Sequence, residues 1–325
     1  MTHGPGGHPA IGLDAVRAAM RAVAAVGDPS SMRIEKGAAG PATVADLASQ
    51  VAATLELRRA LGAGVRIVAE ESLEELERHG GAALVAPVAA AVRTAGLECG
   101  EDDVRDALSA GADPGGTHAH WAIDPLDGTK GYLRGGQFAI AIALVEHGRP
   151  RVGLLGLPRL GAHGHANGAG VIAGAIAGQG AWQTPAHDWA PTPIACRAWA
   201  PGEPVRVAGS VESGHSAGDA LEHAAAAAGP VHAVRVDSQA KYALVARGDA
   251  DAYLRLSPDA SYAECNWDHA AGALVAAEAG CTVTDARGAP LDFGTGRRLF
   301  GARGIVCAPA HLHARLVDAL RPLLG

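Results

Sequence analysis

The sequence predicts a fold with an α+β half followed by an α/β half. Three observations lead to this prediction. In the first third of the chain the apolar residues mostly recur at helical spacing, and from Gln137 onward strand-like runs follow one another across turn sequences. After residue 204, short strand-like runs alternate with helical segments. With 325 residues, 48% of them hydrophobic, the chain is long enough for two sub-domains with a buried core.

The first half is predicted to be mainly helical up to a carboxylate-rich corner. Residues 1–10 are rich in Gly, Pro and His, and we expect them to be disordered. Thr43 and Asp46 have the spacing of a helix N-cap and an acid in the first turn. Short strands are predicted at GVRIVAEES and at HWAI. Helices are predicted at residues 11–27, 43–62, 72–96 and 102–110.

Two predicted hairpins follow the corner. FAIAIALVEHGRPRVGLLGLP is predicted to form two strands joined by a His-Gly-Arg-Pro turn, and residues 169–183 a second pair around a Gly-rich turn. Within this second pair, GAGVIAG imitates the glycine-rich loop of dinucleotide-binding proteins but lacks the strand that this motif requires before it. Residues 184–204 carry five prolines, so we predict two domains with a boundary there, at 11–190 and 191–325.

The second half alternates between strands and helices, which is typical of an α/β arrangement. The predicted strands are VRVAG, AVRVD, AYLRL and GIVCAP. Helices are predicted at residues 216–228, 238–247, 267–279 and 310–323.

The composition argues against several classes of protein. The net charge of −7 disfavours a general nucleic-acid-binding protein, which would carry a basic surface. The five cysteines include no CxxC pair, which favours reduced thiols. The start MTHGPGGHPA lacks the features of a signal peptide, and the longest uncharged tract, residues 166–186, is too rich in glycine for a membrane span. We therefore expect a soluble, cytoplasmic protein.

Residues 121–139, WAIDPLDGTKGYLRGGQFA, place two carboxylates in a tight corner at the end of an apolar strand. Pro125 restricts the backbone and Gly128 permits a turn, so Asp124 and Asp127 can point to the same side. An ordinary Asp-Pro turn is the alternative interpretation. Carboxylates buried at such a position repel each other unless a cation compensates their charge.

The corner also offers further oxygen atoms. With the Leu126 carbonyl and the Thr129 hydroxyl, its two aspartates form a cluster of hard donors, which suits Mg²⁺, Mn²⁺ or Ca²⁺ rather than Zn²⁺. Other acids lie at the ends of predicted elements, namely Asp46, Glu70 and Asp268. Each of these could instead be a solvated acid at a helix N-terminus, where negative charge is favoured.

The segments VAEES, WAIDPLDGTKGYLRGGQFA and NWDHAAG, in this order, resemble the metal-dependent, lithium-sensitive phosphatases related to inositol monophosphatase. Within that superfamily, GTKGYLRGGQFAIAIAL and VDSQAKYALVARGDADAYLRL are similar to the 3'(2'),5'-bisphosphate nucleotidases. The resemblance implies the layered αβαβα sandwich of the inositol monophosphatase and fructose-1,6-bisphosphatase type. The loop EKGAAGPATVAD departs from the family, whose members usually carry acidic residues around a Ser-Pro there.

The resemblance implies a Mg²⁺-dependent hydrolase that removes the 3'-phosphate of 3'-phosphoadenosine 5'-phosphate and gives AMP and phosphate. An inositol-phosphate or other sugar-phosphate phosphatase with the same metal site is the alternative, and DSQAKY and YLRL favour the nucleotidase. The expected partner is a small nucleotide bisphosphate, without nucleic acid or membrane. The protein is expected to be a monomer or a homodimer.

The resemblance also implies roles for individual residues. Two to three Mg²⁺ ions would be held by Glu70, Asp124, the Leu126 carbonyl, Asp127 and Asp268. Asp46 and Thr129 would orient and deprotonate the attacking water. The substrate would be bound by Thr129, His215, Asp237, Ser238, Lys241 and Arg255. For Lys241 and Arg255, a solvated surface charge is the alternative.

Overall fold

The computed structural model describes residues 6–27, 33–35, 41–161, 170–211, 215–257, 259 and 261–324. At residues 215–220 it describes the backbone only. The helices are α1 His8–Ala25, α2 Val44–Leu61, α3 Leu73–Arg78, α4 Val85–Thr94, α5 Glu101–Ala110, α6 Thr129–Leu133, α7 His215–Ala226, α8 Ala240–Ala246, α9 Ala270–Glu278 and α10 Ala310–Leu320. Short 3₁₀ turns lie at Gly81–Leu84, Phe293–Thr295 and Arg321–Leu323.

The strands are β1 Arg33–Glu35, β2 Pro41–Thr43, β3 Ile67–Ala69, β4 His120–Asp127, β5 Ala139–Glu146, β6 Arg149–Leu157, β7 Val171–Ile176, β8 Ala181–Pro185, β9 Thr192–Ile194, β10 Val205–Gly209, β11 Val231–Arg235, β12 Ala252–Arg255, β13 Cys281–Thr284 and β14 Ile305–Pro309. A seven-stranded sheet has the order β3-β4-β5-β6-β7-β8-β9, with β3 and β4 parallel and the other pairs antiparallel. A five-stranded sheet has the order β11-β10-β12-β14-β13, and β1 pairs with β2 separately.

The two larger sheets and the helices form five layers. α1 and α2 cover one face of the seven-stranded sheet, where Leu13 and Val16 join the cluster of Trp121 and Ile140. α8 and α9 lie between the sheets, in a cluster that contains residues of both. α7 and α10 cover the outer face of the five-stranded sheet. The predicted αβαβα sandwich is therefore confirmed.

Strand β5 shows how the sequence builds these layers. Ile140 and Ile142 pack toward α1, whereas Ala141 and Ala143 belong to the cluster that contains α9. This alternation follows from the two-residue period of a strand, and both faces are apolar because both are covered. Small residues on the second face let α9 come close: a Cβ on Gly153 of β6 would lie 2.7 Å from a backbone carbonyl of α9.

The prediction of a single helix at residues 72–96 is wrong. α3 ends at Arg78, and the chain turns at Gly80, whose φ of +70° lies in the left-handed region that favours glycine. The chain then doubles back so closely that a Cβ on Gly81 would lie 2.3 Å from a Leu76 methyl group. A 3₁₀ turn follows before α4 resumes the helical direction.

Two predicted boundaries also change. α1 begins at His8, inside the segment predicted to be disordered, and Pro9 stands in its first turn, where a missing N–H is tolerated. β9 pairs with β8, so the first sheet continues past the predicted boundary between residues 190 and 191. The division into two domains stays a prediction. Residues 36–40 of the atypical loop lie outside the described residues.

Within the described part of the chain, no helix has both the length and the apolar character needed to cross a membrane.

Candidate active site

The carboxylate corner forms where β4 ends. The pairing of β4 with β5 becomes irregular between Asp124 and Asp127, so both residues lie at the edge of the regular ladder. The Pro125 carbonyl accepts a hydrogen bond from Ser49 Oγ of α2 at 2.5 Å. Gly128 has a φ of +88°, and a Cβ there would lie 3.2 Å from Ser238 Cβ. The predicted turn at Gly128 is confirmed, and the corner closely approaches the segment before α8.

Glu70 is brought beside this corner by the parallel pairing of β3 with β4. The pairing places Ala69 opposite Ile123, and the Glu70 N–H donates to the Ile123 carbonyl at 3.2 Å. The next residue is also fixed, because the Gln50 side chain donates to the Glu71 carbonyl at 2.7 Å and accepts the Glu71 N–H at 2.9 Å. Helix α2 therefore holds the backbone that carries Glu70.

Asp124 is the most strongly perturbed acid of the corner. It is buried, and its Oδ1 atom has no hydrogen-bond partner within the described residues. Burial raises its pKa well above the usual range, and the charges of Glu70, Asp127 and Asp268 raise it further. Four predicted metal ligands thus meet at one place.

Asp127 and Asp268 are half-buried, and both have raised pKa values. For Asp127, burial is the main cause, and the charge of Lys241 opposes it. Asp127 Oδ2 also accepts the Gln239 N–H, which ties the corner to the start of α8. For Asp268, burial raises the pKa to about 6, although His269 opposes the shift.

The donor set fits a hard divalent cation. The four side chains are all carboxylates, and hard oxygen donors are what Mg²⁺ prefers. Asp124 Oδ1 is buried and has no partner in the part of the chain that the structure describes, and such an anionic cluster is costly without a compensating charge. The Leu126 carbonyl, the fifth predicted ligand, lies 3.2 Å from Thr129 Oγ1.

Asp46 and Thr129 are in contact although 83 residues separate them. Thr129 Oγ1 donates to Asp46 Oδ1 at 2.9 Å. The other oxygen of Asp46 accepts from the backbone and the hydroxyl of Thr43, at 2.8 and 2.5 Å, as a capping box does. Asp46 is 1% exposed, so it is not the solvated acid that was the alternative.

Two of the predicted substrate residues, Ser238 and Lys241, lie beside the carboxylate corner and mark a second side of the candidate site. Ser238 has a φ of +72° and precedes α8. Lys241 is buried, with Nζ 3.3 Å from Ser210 Oγ and 5.4 Å from the centre of the Tyr253 ring. Lys241 is therefore not a solvated surface charge. The side chain of His215 lies outside the described residues.

Two of the predicted substrate residues already have ionic partners. Asp237 forms an ion pair with Arg134 at 2.7 Å and accepts the Val211 N–H at 3.0 Å. Arg255 donates to Glu264 Oε1 at 3.1 Å and lies 3.0 Å from Glu264 Oε2. Its side chain is 38% exposed, so it is accessible but held in place.

Glu264 and His269 were not predicted as site residues. Their potential ligand atoms and that of Asp268 lie within 4.8 Å of one another. However, Glu264 is fully buried and accepts a hydrogen bond from Arg255. His269 Nε2 lies 3.3 Å from Glu264 Oε2, and His269 Nδ1 lies 2.9 Å from the Tyr242 hydroxyl. These contacts make Glu264 and His269 a support for Arg255, whereas Asp268 lies with the acids of the carboxylate corner. His269 directly follows Asp268 in the sequence, which is the one local signal that could have indicated it.

Comparison with known proteins supports these observations. A family model described as the inositol monophosphatase family matches residues 10–324. A 3'(2'),5'-bisphosphate nucleotidase of Emericella nidulans is 36% identical over 297 residues, which cover 86% of this chain and 81% of that protein. A protein of the same description from Oryza sativa is 36% identical over 307 residues, which cover 86% and 84%.

Solved structures agree with the fold. The extragenic suppressor protein suhB of Bartonella henselae matches with a TM-score of 0.65 and 22% identity, covering 96% of this chain and 97% of that one. CysQ of Bacteroides thetaiotaomicron, a bacterial member of the inositol monophosphatase family, matches with a TM-score of 0.58 and 19% identity, covering 93% and 96%. The family model spans nearly the whole chain, as do these structures. The chain belongs to the inositol monophosphatase family.

Proposed function

We propose that the protein is a Mg²⁺-dependent 3'(2'),5'-bisphosphate nucleotidase that hydrolyses the 3'-phosphate of 3'-phosphoadenosine 5'-phosphate to AMP and phosphate. The observation that carries the proposal is the meeting of Glu70, Asp124, Asp127 and Asp268 beside the hydrogen-bonded pair of Asp46 and Thr129. Curated relatives at 36% identity over 86% of the chain are named as enzymes of this activity, which supports the choice of substrate.

The carboxylates of the corner would hold two to three Mg²⁺ ions. Glu70, Asp124 and the Leu126 carbonyl would bind one of them, and Asp124, Asp127 and Asp268 a second. Magnesium bound there supplies positive charge that polarises the phosphate ester and makes a nearby water more acidic. Asp124 stands in both ligand sets, in keeping with its central place among the four carboxylates.

Asp46 and Thr129 would orient the attacking water. Because the Thr129 hydroxyl donates its only proton to Asp46, the oxygen lone pairs of Thr129 are left to accept a hydrogen bond from water. Asp46 is held by both Thr43 contacts and can take up the proton that passes through Thr129. The capping box of α2 thus fixes the direction of the base.

The second side of the site would bind the 5'-phosphate and the nucleoside. Lys241 and Arg255 offer two positive charges, and a guanidinium can bind phosphate through two parallel hydrogen bonds. Ser238 and Thr129 offer hydroxyls, and Asp237 and His215 would contact the ribose or the base. Arg255 is oriented by Glu264, which supports a fixed position for the phosphate.

The test is the release of phosphate from 3'-phosphoadenosine 5'-phosphate measured beside inositol 1-phosphate, with Mg²⁺ and with a chelator. We expect Mg²⁺-dependent release and a clear preference for the nucleotide. A preference for the inositol ester would favour a sugar-phosphate phosphatase with the same metal site. Activity that persists after chelation would contradict the metal mechanism.

Further expectations rest on the family resemblance. We expect lithium to inhibit the enzyme and the enzyme to act in sulfur metabolism in the cytoplasm. We expect a monomer or a homodimer, which size-exclusion chromatography with light scattering would distinguish.

A further inference from the structure

The predicted metal ligands come from distant parts of the chain, and one arginine touches two of those parts. Glu70 directly follows β3 of the seven-stranded sheet, whereas Asp268 lies just before α9, between the sheets. The distance between these two carboxylates therefore depends on how two separate segments are held together. Arg297, in the loop that precedes β14, contacts both segments.

On one side, the guanidinium of Arg297 holds the end of β3. Nη2 donates to the Ala69 carbonyl at 2.6 Å, one residue before Glu70. Nη1 donates to the Gly111 carbonyl at 2.9 Å and to the Asp113 carbonyl at 3.2 Å. The Gly111 carbonyl also accepts the Ala69 N–H at 2.9 Å. This carbonyl, in the segment after α5, therefore bonds both β3 and Arg297.

On the other side, Arg297 holds the segment that carries Asp268. The guanidinium carbon lies 4.7 Å from the centre of the Trp267 ring, one residue before Asp268. The Arg297 carbonyl accepts the Asn266 N–H at 3.0 Å, and the Asn266 side chain donates to the Gly296 carbonyl at 3.1 Å. The two segments are therefore joined by backbone bonds as well as by the ring contact.

The chemistry of these contacts requires a guanidinium. A planar group with several donors in fixed directions can bond carbonyls of separate segments and at the same time stack on an aromatic face. An ammonium group cannot do both, because its charge is compact and its donors are not coplanar. The three hydrogen bonds from the Nη atoms all go to backbone carbonyls, so Arg297 acts on the ligands through the backbone.

We propose that Arg297 is a positioning residue of the metal site, which sets the separation of Glu70 and Asp268 by holding the residue before each of them. The proposal rests on the proposed metal site and adds a residue that is not itself a ligand. Groups that orient metal ligands from outside the coordination sphere affect metal affinity by about 10- to 100-fold.

The experiment compares the Mg²⁺ dependence of thermal stability in four proteins: the wild type, Arg297→Lys, Arg297→Ala and Arg66→Ala. Arg66 is the matched control, because it also binds the segment after α5, through the Asp113 carboxylate at 2.9 Å. Among the described residues, its guanidinium donates to Asp113 and to the Gly115 carbonyl, and not to Ala69. We expect the Arg297 variants to need about tenfold more Mg²⁺ for half-maximal stabilisation. We expect Arg66→Ala to lower Tm without changing that concentration.

A second readout separates positioning from a general loss of structure. At saturating Mg²⁺ the turnover of Arg297→Lys should recover to near the wild-type value, since the defect lies in metal affinity. An unchanged half-maximal Mg²⁺ concentration in the Arg297 variants, with a normal response of the wild type, would overturn the inference alone. A wild type that Mg²⁺ does not stabilise would overturn the proposed metal site itself. If Arg297→Ala fails to fold, Arg297→Lys decides the outcome.

Discussion

The two sides of the site differ in how their charges are balanced. At the carboxylate corner, Asp124 is surrounded by charges of its own sign, and one of its oxygens has no partner among the described residues. On the substrate side, Asp237 pairs with Arg134 and Arg255 pairs with Glu264. The first region gathers acids of like charge, whereas in the second an acid and an arginine each have an ionic partner.

Because of this difference in charge balance, we expect substitutions on the two sides to have different effects. Removing a charge from the carboxylate corner weakens the repulsion between like charges. Such a substitution should therefore lower turnover without lowering the free energy of unfolding. Removing Arg255 from the substrate side leaves the buried Glu264 without its cationic partner, which costs stability.

Asp124→Asn should lower turnover by at least about 10³-fold, because the stabilisation that a shared metal ligand supports is worth several kcal/mol. In the metal-free state its Tm should stay level or rise, since a raised pKa shows that the charged form is disfavoured there. The measurements are kcat with Mg²⁺ and Tm with a chelator.

The control for this variant is Asp285→Asn, which replaces a buried acid that accepts the N–H groups of Arg287 and Ala289. It should lower Tm and leave kcat near the wild-type value. Normal turnover of Asp124→Asn would refute the metal mechanism, and a large loss of Tm would refute the contrast between the two sides.

Thr129→Ala should lower kcat by about 10²- to 10³-fold, which is the usual contribution of a positioned proton-transfer group. The reason is the loss of the hydroxyl that donates to Asp46 Oδ1 at 2.9 Å. Thr129→Ser keeps this hydroxyl and is the matched control, which should recover most of the rate. Equal losses in both variants would show that the methyl group matters rather than the hydroxyl.

The turn at residues 124–128 was predictable from the sequence because its residues are contiguous. Asp124, Asp127 and Gly128 lie within five positions, and the turn that they form is local. The contact between Asp46 and Thr129 spans 83 residues, and only the family resemblance indicated it. The αβαβα arrangement also came from the resemblance, since periodicity alone predicts elements and not their layering.

The long-range contacts around the site were not predictable in this way. Arg134 and Asp237 are 103 residues apart, and Arg297 reaches Ala69 across 228 residues. Such contacts join segments that are far apart in the sequence, and no local pattern encodes them. The break at Gly80 was missed for a different reason, because helical periodicity continues on both sides of the turn.

Arg255→Ala should raise KM for the bisphosphate by about tenfold, the value of one charge-assisted hydrogen bond, and leave KM for a monophosphate nearly unchanged. Its Tm should fall, because Glu264 is fully buried and loses its cationic partner. Glu264→Gln should show the same KM pattern to a smaller extent, since the amide offers a single acceptor oxygen. A KM increase that is equal for both substrates would argue against a site for the second phosphate.

The smallest effect concerns the pH dependence of stability in the absence of Mg²⁺. Burial raises the pKa of Asp268 to about 6, above the ordinary value of 3.8. Folding therefore favours the protonated form of Asp268. The contribution of Asp268 to the stability of the protein is fully present below about pH 4 and is lost as the pH rises through about 6. Asp268→Asn should flatten this part of the profile of the free energy of unfolding.

Asp251 supplies the opposite case. Burial alone would raise the pKa of Asp251, but hydrogen bonds from Arg206 and Arg197 outweigh burial and lower this pKa. The contribution of Asp251 to stability is therefore present at neutral pH and is lost as the pH falls below the ordinary pKa of 3.8. Asp251→Asn should therefore flatten the acid limb of the same profile.

With Mg²⁺ added, the loss of stability near pH 6 should reverse, because cations compete with protons for Asp268. Urea titrations from pH 3 to about 8 would show both limbs, and equal profiles for the two variants would contradict the different charge balance at these acids.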